Sequence, residues 1–174
     1  MQEHRALILR SNRFLGSSLV DKGLISVGDL EAANEVFMGA IQSDDFERAS
    51  ILNTLLFHLK ALEETALLDH LVEESNFGLV DLDFVTLPSL RSLDVDVSLC
   101  WASSTIPFDK VEGTYMVATC YYFSAPVLKH WENLLEGPII WYATSTASMT
   151  RALERARDMD QAEAEAAQAE ADDA

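Results

Sequence analysis

The stretch FLGSSLVDKGLISVGDLEAANEVF (residues 14–37) occurs a second time, eroded, as ILNTLLFHLKALEETALLDHLVEE (residues 51–74). At an offset of 37 residues the apolar positions superpose without a gap: Leu15 on Leu52, Leu19 on Leu56, Val20 on Phe57, Ile25 on Leu62 and Leu30 on Leu67. The glycines do not survive, since Gly16 becomes Asn53 and Gly23 becomes Lys60. A repeat that keeps its apolar frame keeps its packing. One that loses its glycines gives up whatever needed bare backbone.

Each copy reads as a helix–turn–helix. In the first, Leu15, Leu19 and Val20 fit one face of a helix with about 3.6 residues per turn. Gly23 closes that helix, because glycine tolerates the left-handed conformation of a helix end. Ser26 caps the next helix by accepting a backbone N–H, with Asp29 as its reciprocal partner. Leu30, Ala33, Asn34 and Phe37 carry the buried face onward. In the second copy, Leu52, Leu55, Leu56 and Leu59 form the stripe. Glu63 and Glu64 open the following helix, where acids favour the positive end of the dipole. Leu67, Leu68 and Leu71 supply its inner face. Between the copies, Ser43–Glu47 reads as a connection and the start of a helix capped by Ser43 or Asp44. Residues 1–13 form a lead-in with a helical turn around Ala6–Arg10.

The texture changes at Asn76–Gly78. Val80, Leu82, Phe84 and Val85 follow, then Pro88, and Val95–Phe108 is rich in β-branched and aromatic residues. Thr114–Phe123 is the clearest strand, with Glu112-Gly113 as the turn before it. Pro126 opens a helix at its first turn, and Gly137-Pro138 ends it. Ile139–Tyr142 reads as a short buried strand, and Thr144 or Ser145 caps a final helix, Thr146–Arg157. The predicted fold class is α+β: a helical tandem repeat of two helix–turn–helix units (14–75), then a small α/β subdomain (76–157) in the order strand–strand–helix–strand–helix. Residues 158–174 are expected as an acidic tail that extends the last helix and then frays.

Composition narrows the function. With 174 residues and 49% hydrophobic content the chain can bury a substantial core. No apolar run approaches the roughly 18–20 residues that span a bilayer, and the apolar stretch near the N-terminus is too short for a signal peptide. The expectation is a cytoplasmic protein without direct membrane insertion. A formal net charge of −17 repels phosphate backbones, which argues against nucleic-acid partners. Cys100 and Cys120 each sit beside an aromatic residue and read as buried thiols. No CxxC and no His/Cys cluster with zinc-ligand spacing occurs, so no metal site is read from the sequence.

The block LGSSLVDKGLISVGDLEAA resembles the helical repeat at the front of type II secretion and type IV pilus assembly ATPases, the MshEN or GspE N-terminal domain. The likeness extends over roughly residues 10–157. Ile106-Pro107 leads into Gly113, Tyr115–Thr119 forms the next strand, Ala125-Pro126 precedes a helix that Gly137 follows, and Ala143–Leu153 is the closing helix. The resemblance implies a non-catalytic regulatory or adaptor module, with a protein of a secretion or pilus assembly machine as partner. No GxxxxGK[ST] phosphate loop is present, so no ATPase is implied.

In one branch of the family the paired motifs bind cyclic di-GMP through arginines, close approach at the glycines, and leucines. On this sequence that role falls to Arg13, Leu15, Gly16, Leu19 and Gly23. The sequence departs from the binding pattern. Phe14 intervenes between Arg13 and Leu15-Gly16, Phe37 stands at the closing position, and the second unit holds Ile51, Asn53, Lys60 and Glu74 where the pattern has Arg, Gly, Gly and Gln. A cyclic di-GMP receptor is therefore the alternative reading and a protein-interaction module the first.

Other candidates have bland explanations. His58, His70 and His130 are scattered. No third group orients a Cys–His pair. Asp44-Asp45, Glu63-Glu64 and Glu73-Glu74 lie near helix ends, which accounts for them without a general acid. On the aromatic second half, Tyr121 and Tyr122 point to opposite faces if they lie on a strand. One of them, with Trp131, is therefore expected as an exposed anchor for a partner.

Overall fold

A computed structural model of the chain describes residues 2–46 and 49–172. Helix α1 (Arg5–Asp21) runs through residue 13 without a break, so the predicted lead-in belongs to the first repeat's helix. Gly23, at φ +70°, turns the chain into α2 (Val27–Gln42). Ser26 and Asp29 form the predicted capping box, each side chain accepting the other's backbone N–H.

Ser43 closes α2 rather than opening a new helix, and Asp44 takes a left-handed φ of 56°. The cap of α3 (Ile51–Asn53) is Ser50, whose hydroxyl accepts from the Asn53 N–H. Glu47, at the end of the predicted connection, lies outside the described residues. Helix α3 widens into a π turn, Thr54–His58, before α4 (Glu64–Ser75).

The repeat is real at the level of backbone. Lys60, standing where the first copy has Gly23, still adopts φ +51°. Glu63, the counterpart of Ser26, occupies the N-cap position of α4. The frame residues Leu15, Leu19, Ile25, Leu52, Leu56, Leu62 and Leu67 are all buried, and Leu30 is half-buried.

Beyond the left-handed Asn76, strand β1 (Gly78–Leu79) lies at one edge of a four-stranded mixed sheet of order β1-β4-β3-β2. Strands β2 (Thr105–Val111) and β3 (Thr114–Thr119) form an antiparallel hairpin. Its two-residue turn holds Glu112 and Gly113 at positive φ, the conformation that matches the twist of the strands. Strand β4 (Ile139–Ala143) is parallel to β3 and to β1. The intervening crossover is α6 (Ala125–Leu134), opened by Pro126 as expected.

One expectation fails here. Val97–Ser103, inside the β-branched stretch, is helix α5 and not a strand. Asp96 caps it by accepting the Ser98 N–H, and left-handed Ser104 ends it. The final helix, α7 (Thr146–Asp172), extends beyond Arg157 into the acidic segment. Arg91–Asp160 and Ser89–Glu163 contacts hold its next turns, and the strong helix formers Ala, Glu and Gln continue it.

The two units share one core, a single buried cluster from Ile8 to Ala156. Asn12 of α1 forms the joint. Its amide donates to the Ile8 carbonyl (2.9 Å), and its oxygen accepts from the Ile51 N–H (2.8 Å) and the Tyr121 hydroxyl (2.9 Å). Ser124 donates to the Ser11 carbonyl and Ser18 to the Phe123 carbonyl, so α1 is bonded along its length to the loop after β3.

Candidate docking groove

The first-repeat residues assigned by resemblance to a ligand do not converge. Leu15 and Leu19 are buried in the core. Gly16 is covered by α2: a Cβ built on it would lie 2.5 Å from Leu30 Cδ1. Its missing side chain is thus accounted for by the approach of the two helices. Gly23 is exposed and needs glycine for its φ alone, since a Cβ there would meet nothing within 4 Å. Arg13 is exposed, but α1 runs on from it to Asp21 before the chain reaches Gly23, a rise of roughly 12 Å.

The aromatic residues expected at a partner surface are inside. Strand β3 ends at Thr119, so Tyr121 and Tyr122 do not alternate across a sheet. Tyr121 bonds Asn12 and, at 3.1 Å, the Ser50 hydroxyl, and burial pushes its phenol up to about 12. Tyr122 packs against the rings of Phe77 and Phe123. Trp131 is fully buried and donates its indole N–H to Ser103 Oγ (3.1 Å). None of the three can anchor a partner on this surface.

The structure opens a groove elsewhere, where the two repeats meet the start of α7. Val36 of α2 forms one wall. Asn53, Thr54, Phe57 and His58 form the second, and Thr146, Ala147 and Thr150 of α7 the third, around a volume of about 560 Å³. Phe57 is 60% exposed and Val36 41%. Phe57 is the counterpart of half-buried Val20, so the second repeat places a large aromatic where the first has a smaller residue turned partly inward. The sequence signal was this Val-to-Phe exchange at the outer margin of the repeated face.

The electrostatics of the groove disfavour an anion. The N-terminus of α7 is occupied by the Glu64 carboxylate, which accepts from the Thr146 N–H and hydroxyl. A phosphate would meet that carboxylate instead of free N–H donors. Glu64 also ties the second repeat to the α/β unit.

A second exposed aromatic, Phe84, is 89% exposed on the 3₁₀ turn Leu82–Phe84. Helix α7 holds this turn rigidly. Arg151 pairs with Asp83, Arg155 donates to the Leu82 and Val85 carbonyls, and Ser148 Oγ accepts from the Leu82 N–H. The sequence offered no warning of its exposure, because Leu82 and Phe84 read as one apolar stretch.

Burial pushes the Cys100 and Cys120 thiols well above their ordinary range, so neither is a thiolate at neutral pH. His58 is exposed on the groove. His70 packs edge-on to Phe123. His130 is held below the usual histidine value, chiefly by burial and then by the charge of His4. Among the described residues, Glu3, His4 and Asp96 bring metal-ligating atoms within 4.8 Å of one another. No helix among them is long and apolar enough to cross a membrane.

No family model and no curated protein matches the sequence. Among solved structures, MshE determined with cyclic di-GMP aligns at 18% identity with a TM-score of 0.51, over 81% of this chain and 96% of that one. The N-terminal domain of XpsE aligns in two crystal forms. One gives 12% identity and a TM-score of 0.55 over 83% of this chain and 94% of that one, the other 14% and 0.51 over 80% and 91%. At these identities the likeness is one of fold, and the fold of this chain is that of a GspE-like N-terminal domain.

Proposed function

We propose that this chain is a non-catalytic adaptor or regulatory module that acts by binding another protein through the groove at Phe57. The observation that carries the reading is the exposed Phe57 beside exposed Val36, in a groove lined by both repeats and α7. Covering the exposed part of such a phenylalanine contributes about 1–2 kcal/mol of transfer free energy to a complex. Aromatic anchors at the centre of a contact are the residues that dominate binding energy. The net charge of −17 favours a partner with basic residues around its apolar contact. By the shared fold, a component of a secretion or pilus assembly machine is the natural class of partner, met in the cytoplasm.

The alternative, cyclic di-GMP reception by the first repeat, draws support from the MshE structure with that ligand and from exposed Arg13. Against it stand the burial of Leu15, Gly16 and Leu19 and the substituted second repeat.

The docking reading is tested by placing a photo-crosslinking amino acid at position 57 in the full chain, expressed in its native cell. Position 72, an exposed valine on α4, is the control. One dominant crosslinked protein from position 57, absent from position 72, supports the reading. No crosslink at 57, or the same products from both positions, overturns it.

A further inference from the structure

We propose a divalent transition-metal site, with the chemistry of zinc, where the start of α1 meets the start of α5. Glu3, His4 and Asp96 supply the ligands. His4 Nε2 lies 3.6 Å from Glu3 Oε1 and 3.9 Å from Asp96 Oδ2, and the three ligating atoms fall within 4.8 Å of one another. Bonds of about 2.0–2.1 Å in a tetrahedral array set neighbouring ligand atoms roughly 3.3 Å apart. The observed spacings exceed that by well under 1 Å for the two histidine pairs. Rotation of two exposed carboxylates can close such a gap.

The centre of the cluster is polar and short of protons. Ser98 Oγ sits 2.9 Å from His4 Nε2, 3.2 Å from Glu3 Oε1 and 2.8 Å from Asp96 Oδ2. A hydroxyl has one proton, so it can donate to one carboxylate and not to both. The other carboxylate faces an oxygen lone pair. A cation at this point takes electron pairs from the imidazole and both carboxylates, with Ser98 Oγ or water as the fourth donor. Asp96 is already oriented for this: its Oδ1 accepts the Ser98 N–H at 2.8 Å, the kind of outer contact that fixes a metal-bound carboxylate.

The donor set selects the ion. One nitrogen and two carboxylates suit zinc and its first-row neighbours. Magnesium and calcium take all-oxygen sites. The acidic chain raises the local concentration of any cation, but the imidazole discriminates among them. The ligands come from segments far apart in sequence, Glu3 and His4 in one and Asp96 in the other. A bound ion therefore ties the first helix of the repeat to the α/β unit. Sequence spacing could not reveal the cluster, because only the tertiary fold brings Asp96 to His4.

The test is calorimetric titration of the untagged, chelator-stripped full chain with zinc chloride, and separately with magnesium chloride. The variants are His4→Gln and Glu3→Gln at the site, and Asp69→Asn on α4 as an exposed acid outside it. Circular dichroism checks that each variant is folded. The expected result is saturable one-to-one zinc binding that weakens at least about tenfold in both site variants and is unchanged in Asp69→Asn. A zinc-dependent rise in Tm is expected in the unsubstituted chain and lost in His4→Gln. Absence of saturable binding, zinc affinity unaltered in His4→Gln, or magnesium competing as well as zinc would each overturn the proposal.

Discussion

Gly16→Ala is the perturbation that separates packing from ligand approach. The added Cβ lies 2.5 Å from Leu30 Cδ1, about 1.0–1.5 Å inside ordinary contact, about 3.5–4.0 Å between carbons. Overpacking of this kind costs about 1–3 kcal/mol. Leu30 is half-buried and the clashing atom is the end of its side chain, which puts the cost at the lower end. Replacing glycine by alanine inside a helix returns about 0.5–1 kcal/mol. The single substitution should therefore destabilise by about 0–2 kcal/mol on these two magnitudes. In a Leu30→Ala background the obstacle is gone, and the same change should stabilise by about 0.5–1 kcal/mol. The sign reversal is the prediction, read from urea unfolding of the four proteins of a double-mutant cycle. A coupling below about 0.5 kcal/mol, the level at which independent sites add, would refute the claim that Gly16 is bare to admit Leu30.

Lys60→Gly, at φ +51°, should leave stability unchanged or raise it by up to about 1 kcal/mol, whereas Gly23→Ala at φ +70° should lower it by about 1–2 kcal/mol in thermal unfolding. Asn12→Ala strands the Ile51 N–H and leaves the Tyr121 hydroxyl with Ser50 alone; it should cost about 1–3 kcal/mol, the cost of one buried group left unpaired, and a loss below about 0.5 kcal/mol by urea unfolding would contradict the joint described. Tyr121 is raised from 10.0 to about 12 by burial, so between those values the folded state binds more protons than the unfolded one. Its contribution is fully present below pH 10 and is lost as pH rises toward 12, a fall that should be smaller in Tyr121→Phe than in the unsubstituted chain. Cys100 and Cys120, buried and shifted upward, should resist alkylation in the native chain and react on unfolding; rapid native labelling would contradict their burial.

How much was legible depended on whether the signal was local. The offset of 37 residues foretold the shared frame, and the match ran deeper than side chains. Left-handed Lys60 and the N-cap position of Glu63 repeat the backbone of Gly23 and Ser26. Caps and turns made from neighbouring residues were readable: Ser26 with Asp29, Glu112-Gly113, and Pro126. Helix α5 was not, because β-branched content describes strand propensity. The Asp96 and Ser104 ends, together with burial of Leu99 and Cys100, outweighed that content. The reading of Tyr121 and Tyr122 failed for a similar reason. Alternation presumes a strand, and the chain leaves the sheet after Thr119 to bond with Asn12. The groove at Phe57 and the cluster at His4 are products of tertiary assembly. Neither leaves a spacing in the sequence.

On the proposed reading the repeated frame is structural and recognition lies with a protein at the Phe57 groove. Calorimetric titration of the full chain with cyclic di-GMP tests it most directly, with GTP and cyclic di-AMP as controls. The account predicts no saturable heat for any of the three. Saturable binding of cyclic di-GMP alone at micromolar or tighter affinity, abolished by Arg13→Ala in a variant that remains folded, would contradict it and make the first repeat a nucleotide receptor.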